Sequence, residues 1–224
     1  MELFFPDLTK LKPTILSTVL KATEEYGELC REVYSFNKSV SKKEDNSLKP
    51  SINLILGELL DVAQTMFTLI YFMRKTNMIS DSFLKERLYI HKRKLVRKGY
   101  MVFDKEQPKC SADFGRQENG DMFLILSQCN KIQFPNVEAG IMFTLLKLGE
   151  EIGELSQAVG KHSGLSGEVN IKEDDVVLQK IVDEMLDVAQ TCCTLLYIFQ
   201  DEYAVDVKSL LISHRKKLEE HGYC

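Results

Sequence analysis

The hexapeptide EEYGEL at residues 24–29 returns as EEIGEL at residues 150–155, an offset of 126. GELLDVAQT (57–65) returns as DEMLDVAQT (183–191) at the same offset, and HKRKLVRKGY (91–100) returns as HRKKLEEHGY (214–223) at an offset of 123. Three blocks in one order mean an internal duplication. The change of three residues falls between the second and third blocks, so the connection there is shorter in the second copy. Two copies are too few for a solenoid, so the chain must fold as two homologous units or as two halves of one pseudo-symmetric bundle. The expected division is a first helical unit over 1–104, a linker over 105–130 and a second unit over 131–224.

Periodicity makes the units helical. Ile15, Val19, Ala22, Tyr26, Leu29 and Val33 recur at spacings of three or four, which predicts a helix over about 11–34. A Lys/Ser-rich loop is expected over 37–50, closed by Pro50, and then a long apolar helix over 51–75. Ser80 or Asp81 caps a third helix that Gly99 ends. The second half repeats the plan with helices over 137–159, 175–200 and 206–221, the middle one capped by Asp174. No stretch shows strand alternation, and MFLILSQC (122–129) reads as a short docking helix. The expected fold class is all-α, a duplicated helical bundle.

Of 224 residues, 44% are hydrophobic and 28% charged, a globular balance. The first 110 residues carry 19 Lys+Arg against 14 Asp+Glu, and the rest carry 10 against 19. This asymmetry is read as solvated helix faces rather than a nucleic-acid surface. The six cysteines form no CxxC pair, which suits reduced thiols in the cytoplasm. The N-terminal MELFFPDL has no signal-peptide pattern. Ile52 to Met73 is long enough to span a bilayer, but Glu58 and Asp61 near its middle make a buried core helix the better reading, and no membrane partner is expected.

Residues three apart project from one face of a helix. Glu25 pairs in this way with Glu28, Glu58 with Asp61, Glu151 with Glu154, and Glu184 with Asp187. Each half thus sets two acid pairs on two long helices, flanked by core residues such as Leu59 and Leu186. Buried carboxylates repel one another and protonate unless a positive charge compensates. A hard divalent cation such as Mg²⁺, which prefers oxygen ligands and phosphates, is the expected compensator, with Mn²⁺ as substitute. Neither block has His or Cys at the acid positions, which disfavours zinc and a di-iron Glu-x-x-His site. The third helices carry the opposite sign: Lys92, Arg93 and Lys94 in one copy match Arg215, Lys216 and Lys217 in the other. A cationic helix beside such a site suits a polyphosphate. Lys21 and Lys147 lie one turn before Glu25 and Glu151, while the recurring His91 and His214 are read as structural.

The EExxE, spacer and ExxD pattern resembles the MazG-type all-α nucleoside triphosphate pyrophosphohydrolases, a superfamily that includes the dimeric dUTPases. The resemblance covers roughly residues 11–100 and 137–223. It implies Mg²⁺ on Glu25, Glu28, Glu58 and Asp61, and on Glu151, Glu154, Glu184 and Asp187. It implies that Glu24 and Glu150 help arrange the metal and the attacking water, a catalytic role. It implies hydrolysis of an NTP to NMP and pyrophosphate. Lys21, Lys147 and Lys180 match lysines seen one turn before the acid motifs, and with Lys94 and Lys217 they are the expected substrate-binding cations. The first half departs from this pattern at Leu54 and Gly57, where the second has Lys180 and Asp183. Sites in this family lie at the junction of two subunits, so the fused chain is expected to be an intramolecular pseudo-dimer or a homodimer of such pairs. Specificity is expected in the bundle pocket and the loops at 35–50 and 160–173. Two other functions fit the same sequence: a non-catalytic nucleotide-binding or regulatory protein, and a helical scaffold binding nucleic acid through its basic half.

Overall fold

The computed structural model describes residues 2–8, 10–41, 45–101, 114–116, 122–126, 128–129, 132–165, 167 and 174–224. Six helices dominate: α1 (Ile15–Ser41), α2 (Asp45–Lys75) and α3 (Asp81–Arg97) in the first half, α4 (Val137–His162), α5 (Asp174–Tyr203) and α6 (Val207–Glu220) in the second. The all-α class holds for this body of the molecule. The α2–α3 connection covers 76–80 and the α5–α6 connection only 204–206, shorter in the direction that the change of offset requires.

Local chemistry sets the ends. Ser80, Asn136 and Asp206 cap α3, α4 and α6, each side chain accepting a backbone N–H three residues on. Gly99 (φ 74°) and Gly222 (φ 73°) take the left-handed conformation that stops α3 and α6. Tyr100 and Tyr223 follow, their N–H groups bonding back to Leu95 O and Leu218 O at 3.0 Å each.

Three expectations fail at the boundaries. The segment expected as a loop over 37–50 is largely helix, with α1 running to Ser41 and α2 starting at Asp45. Pro50 lies inside α2 rather than before it, early enough that few backbone bonds are lost. Asp174 is the first residue of α5 rather than its cap, while the loop expected over 160–173 begins after His162 and mostly lies outside the described residues.

The chain also forms strands, contrary to the sequence reading. β1 (Glu2–Phe5), β2 (Phe114–Arg116) and β3 (Met122–Ile125) make an antiparallel sheet in the order β1-β3-β2. MFLI is therefore strand and not docking helix. A four-residue apolar run has no period to read, and its partner β1 lies about 120 residues away in sequence. β1 leads into α1 and β3 leads into α4, so the central pairing joins corresponding pieces of the two halves. The expected linker at 105–130 contributes β2 and β3, and most of its remainder lies outside the described residues.

The two halves share one core. Leu29, Leu59, Leu155 and Leu186 belong to a single buried cluster. The Phe36 ring of α1 meets Phe199 and Tyr203 of α5 edge-on, with centroids 6.3 and 5.9 Å apart. Tyr26 donates to Leu145 O at 3.1 Å, and its ring fills the space a side chain at Gly149 would need. The span Lys49–Lys75 is long and apolar enough to cross a bilayer, but 78% of its most apolar window is buried in the bundle.

Candidate metal centres

α1 and α2 pack as a helical hairpin, and so do α4 and α5. Each hairpin brings three acids together. Carboxylate oxygens of Glu25, Glu58 and Asp61 lie within 4.8 Å of one another, and so do those of Glu151, Glu184 and Asp187. The second trio is wholly buried, Glu184 being only 2% exposed, whereas Glu58 and Asp61 are half-buried. Glu28 and Glu154 stand at the edge of their clusters, Glu28 3.8 Å from Arg31 and Glu154 3.8 Å from Lys180. Glu24 and Glu150 point outward at the rim, 3.1 Å from Lys21 and 3.0 Å from Lys147. The same lysines reach inward to Glu25 at 2.5 Å and Glu151 at 2.6 Å.

The third helices cross over. Lys217 of α6 reaches Asp61 of the first half at 2.5 Å, with His214 Nδ1 3.7 Å from the same carboxylate. Lys94 of α3 is paired with Asp187 of the second half, with His91 Nδ1 at 3.2 Å. Each acid cluster is completed by the other half's cationic helix. The periodicity that predicts these helices says nothing about which hairpin each one joins. His91 and His214, read from the sequence as structural, both face a cluster acid. Their recurrence beside the lysines was the available signal.

Electrostatics shows how uneasy the acids are without a cation. Burial pushes the Glu58 carboxyl up to about 7, with Asp61, Glu28 and Glu25 repelling its charge and Lys217 opposing. Burial likewise pushes Glu184 up to about 7 in spite of its ion pair with Lys180. Glu25 is raised too, by burial first, against the pull of Lys21. Asp187 goes the other way: burial resists its charge, but His91 and Lys94 outweigh it and hold the carboxyl below the ordinary range. Burial drives His214 down to about 4, Lys217 adding to the fall and Asp61 opposing it, so this imidazole is neutral near pH 7.

One atom tests the fit of a cation directly. Glu184 Oε2 is buried and has no partner among the described residues. An unpartnered buried carboxylate oxygen is costly, and a hard cation held by Glu151, Glu184 and Asp187 would satisfy it.

The centres differ in their surroundings. Around the second, Lys180 pairs with Glu184, and Arg87 makes a two-pronged pair with Asp183, its Nε donating to Oδ1 at 2.8 Å. The corresponding positions around the first are Leu54, Leu210 and Gly57. Gly57 and Leu210 instead border an open groove of about 880 Å³ that also touches His214 and Lys217. No known family model matches the chain, and neither a curated protein nor a solved structure is significantly similar to it.

Proposed function

We propose that the chain is a Mg²⁺-dependent nucleoside triphosphate pyrophosphohydrolase of the MazG type, carrying two fused units as an intramolecular pseudo-dimer. The observation that carries this reading is the paired arrangement itself: a trio of converging carboxylates, written twice, each facing a lysine from the opposite half. Acids alone would hold a cation. Acids with lysines at their edge suit a cation that arrives with a phosphate chain.

Glu25, Glu58 and Asp61, with Glu28 at the edge, would hold Mg²⁺ in the first half. Glu151, Glu184 and Asp187, with Glu154, would hold it in the second. When bound, the cation neutralises phosphate charge and makes a coordinated water more acidic. The chain's own groups do the rest. Lys217 and Lys94 leave their acids for phosphate oxygens as the substrate enters. Lys21 and Lys147 pair with Glu25 and Glu151 and hold them in place. Glu24 and Glu150, at the exposed rim, take the proton from the water that attacks phosphorus. The new P–O bond forms as the α–β bridge breaks, and the products are a nucleoside monophosphate and pyrophosphate.

The test is pyrophosphate release from a panel of NTPs and dNTPs, with Mg²⁺, with Mn²⁺ and with EDTA. The expected result is turnover that needs the cation and is lost when Glu58→Gln and Glu184→Gln are combined. Absence of release from every triphosphate, with nucleotide binding intact, would leave the non-catalytic binding protein instead.

A further inference from the structure

Each acid cluster opens onto a cavity, and the two cavities are unequal. Beside Glu25 and Asp61 lies one of about 330 Å³, walled in part by Leu8, Ser17, Thr18, Gln64, Leu218 and Tyr223. Beside Glu151 and Asp187 the cavity measures only about 90 Å³, walled in part by Phe134, Phe143, Thr144, Gln190, Leu95 and Tyr100. These walls correspond position by position through the duplication: Thr18 with Thr144, Gln64 with Gln190, Leu218 with Leu95, Tyr223 with Tyr100. Two positions differ greatly in bulk. Phe134 stands where the first half has Leu8, and Phe143 where it has Ser17.

Those two rings pack together, centroids 5.6 Å apart. Gly140 makes room for them. A Cβ there would come within 2.9 Å of the Phe134 ring, and the first half has Thr14 at that position. Small-molecule sites begin at about 300 Å³. The first cavity reaches that size, while the second has room for about three waters.

A second observation points to a ligand in the first cavity. Gln64 is 3% exposed, and its Nε2 donates to Pro6 O at 3.1 Å and to Thr68 Oγ1 at 3.4 Å. A carbonyl can only accept, so Pro6 fixes which end of the amide is which. That leaves Gln64 Oε1 buried with no partner among the described residues. A buried amide oxygen in a cavity wall calls for an N–H donor.

We propose that the two halves divide the work. The first cavity takes the base and sugar of a nucleotide, with a base N–H donated to Gln64 Oε1 and the phosphates toward Glu25, Glu58 and Asp61. The second cluster takes a cation and no nucleoside, because its cavity, with Phe134 and Phe143 in the wall, measures only about 90 Å³. This rests on the nucleotide reading above and goes further, assigning turnover to the half that departs more from the expected motif.

The test is calorimetric titration of the full chain, with Mg²⁺, using α,β-imido triphosphate analogues that cannot release pyrophosphate. The expected stoichiometry is one analogue per chain. Ser17→Phe, which copies the second half's plug at an exposed position, weakens binding on the order of tenfold or more. Phe143→Ser leaves the affinity of that first analogue unchanged. Two analogues bound per wild-type chain, unaltered affinity in Ser17→Phe, or no binding at all would overturn the division. Stoichiometry needs no variant, so the result does not hang on one substitution folding. One analogue bound without any turnover of true triphosphates sinks the enzymatic reading and keeps the division. Turnover with two bound does the reverse.

Discussion

The cluster of Glu151, Glu184 and Asp187 is buried, and ion pairs ring it: Lys147, Lys180, Lys94 and the Arg87–Asp183 pair all stand around it. The cluster of Glu25, Glu58 and Asp61 keeps the same three acid types but is half-buried in part and borders a larger cavity. Duplication copied the acids, and later change rewrote the shell around them. The comparison teaches that an acid motif says what an ion would touch, while its neighbours decide whether anything larger can enter. Lys180 and Asp183 make the second half the better match to the expected motif, yet its cavity, with Phe134 and Phe143 in the wall, is the smaller.

The largest expected effect is on turnover. If the halves have divided as inferred, Glu58→Gln lowers the rate of pyrophosphate release by on the order of 10²-fold or more, because it removes charge from the working centre. Glu184→Gln, the matching change, lowers it by less than about tenfold. Steady-state rates of the two variants at saturating Mg²⁺ read this directly. The reverse ranking would move catalysis to the second half.

Next comes stability. Arg87 and Asp183 are an ion pair present on one side only, with side chains 13% and 32% exposed. Asp183→Ala leaves a largely buried guanidinium without its partner and is expected to cost about 2–3 kcal/mol. Replacing both residues by their counterparts around the first centre, Leu210 and Gly57, as Arg87→Leu with Asp183→Gly, should cost less than the single change, since no charge is stranded. Denaturant unfolding of the three proteins decides it. A double variant less stable than Asp183→Ala would mean that the pair organises this centre rather than merely balancing charge.

A smaller effect concerns pH. Glu184 goes from an ordinary 4.5 to about 7 on folding. Between those values the folded chain holds a proton that the unfolded chain has lost, so the stability this group allows is full below about 4.5 and falls as pH rises to about 7. In EDTA, Glu184→Gln removes that penalty and leaves Lys180, whose side chain is 55% exposed, to water. The variant is expected to melt a few degrees above wild type at pH 8 and at the same temperature at pH 5. Saturating Mg²⁺ should erase the advantage at pH 8. Melting curves that coincide at both pH values would show that the buried carboxylate is not strained. His214 does not disturb this comparison, since it is unchanged between the two proteins.

Much of the bundle is readable from spacing alone. Ile15, Val19, Ala22, Leu29 and Val33 are all buried as the three–four pattern requires, and the two Gly-Tyr stops sit where the repeats end. The acid pairs also converge as helix geometry demands, but only three of each four come within ligand distance of one another. What spacing could not supply was partner choice across the chain. The exchange of α3 and α6 between halves depends on the shared core, and β1 pairs with β3 by contacts no local window contains. The sequence places specificity in the bundle pocket and in the loops at 35–50 and 160–173; the first cavity is walled by bundle residues such as Thr18 and Gln64, and no described residue of either loop lines it. The rest of its wall comes from the N-terminal segment through Leu8, Leu11 and Pro13, and from Tyr223 at the other end of the chain. Composition gave that segment no special character, because its role arises from where the sheet anchors it: Phe5 is packed against Phe67 with centroids 4.5 Å apart.

The finest test asks whether one missing lysine accounts for the state of Glu58. Leu54 is 55% exposed and lies four residues before Glu58, where the second half has Lys180 before Glu184. Leu54→Lys rebuilds that pair on an exposed face, so it disturbs little packing. An exposed pair of this spacing is worth about 0.3–0.5 kcal/mol, a few tenths of a pKa unit. The acid limb of the pH–rate profile should therefore move down by about that amount, because the lysine favours the charged carboxylate. It should not move further. Glu184 keeps its lysine and still stands at about 7, since burial outweighs a single ion pair there. A limb that stays fixed would place the titration on another group, with Glu25 the next to examine, because it too is raised by burial. A drop of a full unit or more would mean that charge, not burial, governs the first centre, and the contrast between its open and the other's closed surroundings would lose its electrostatic half.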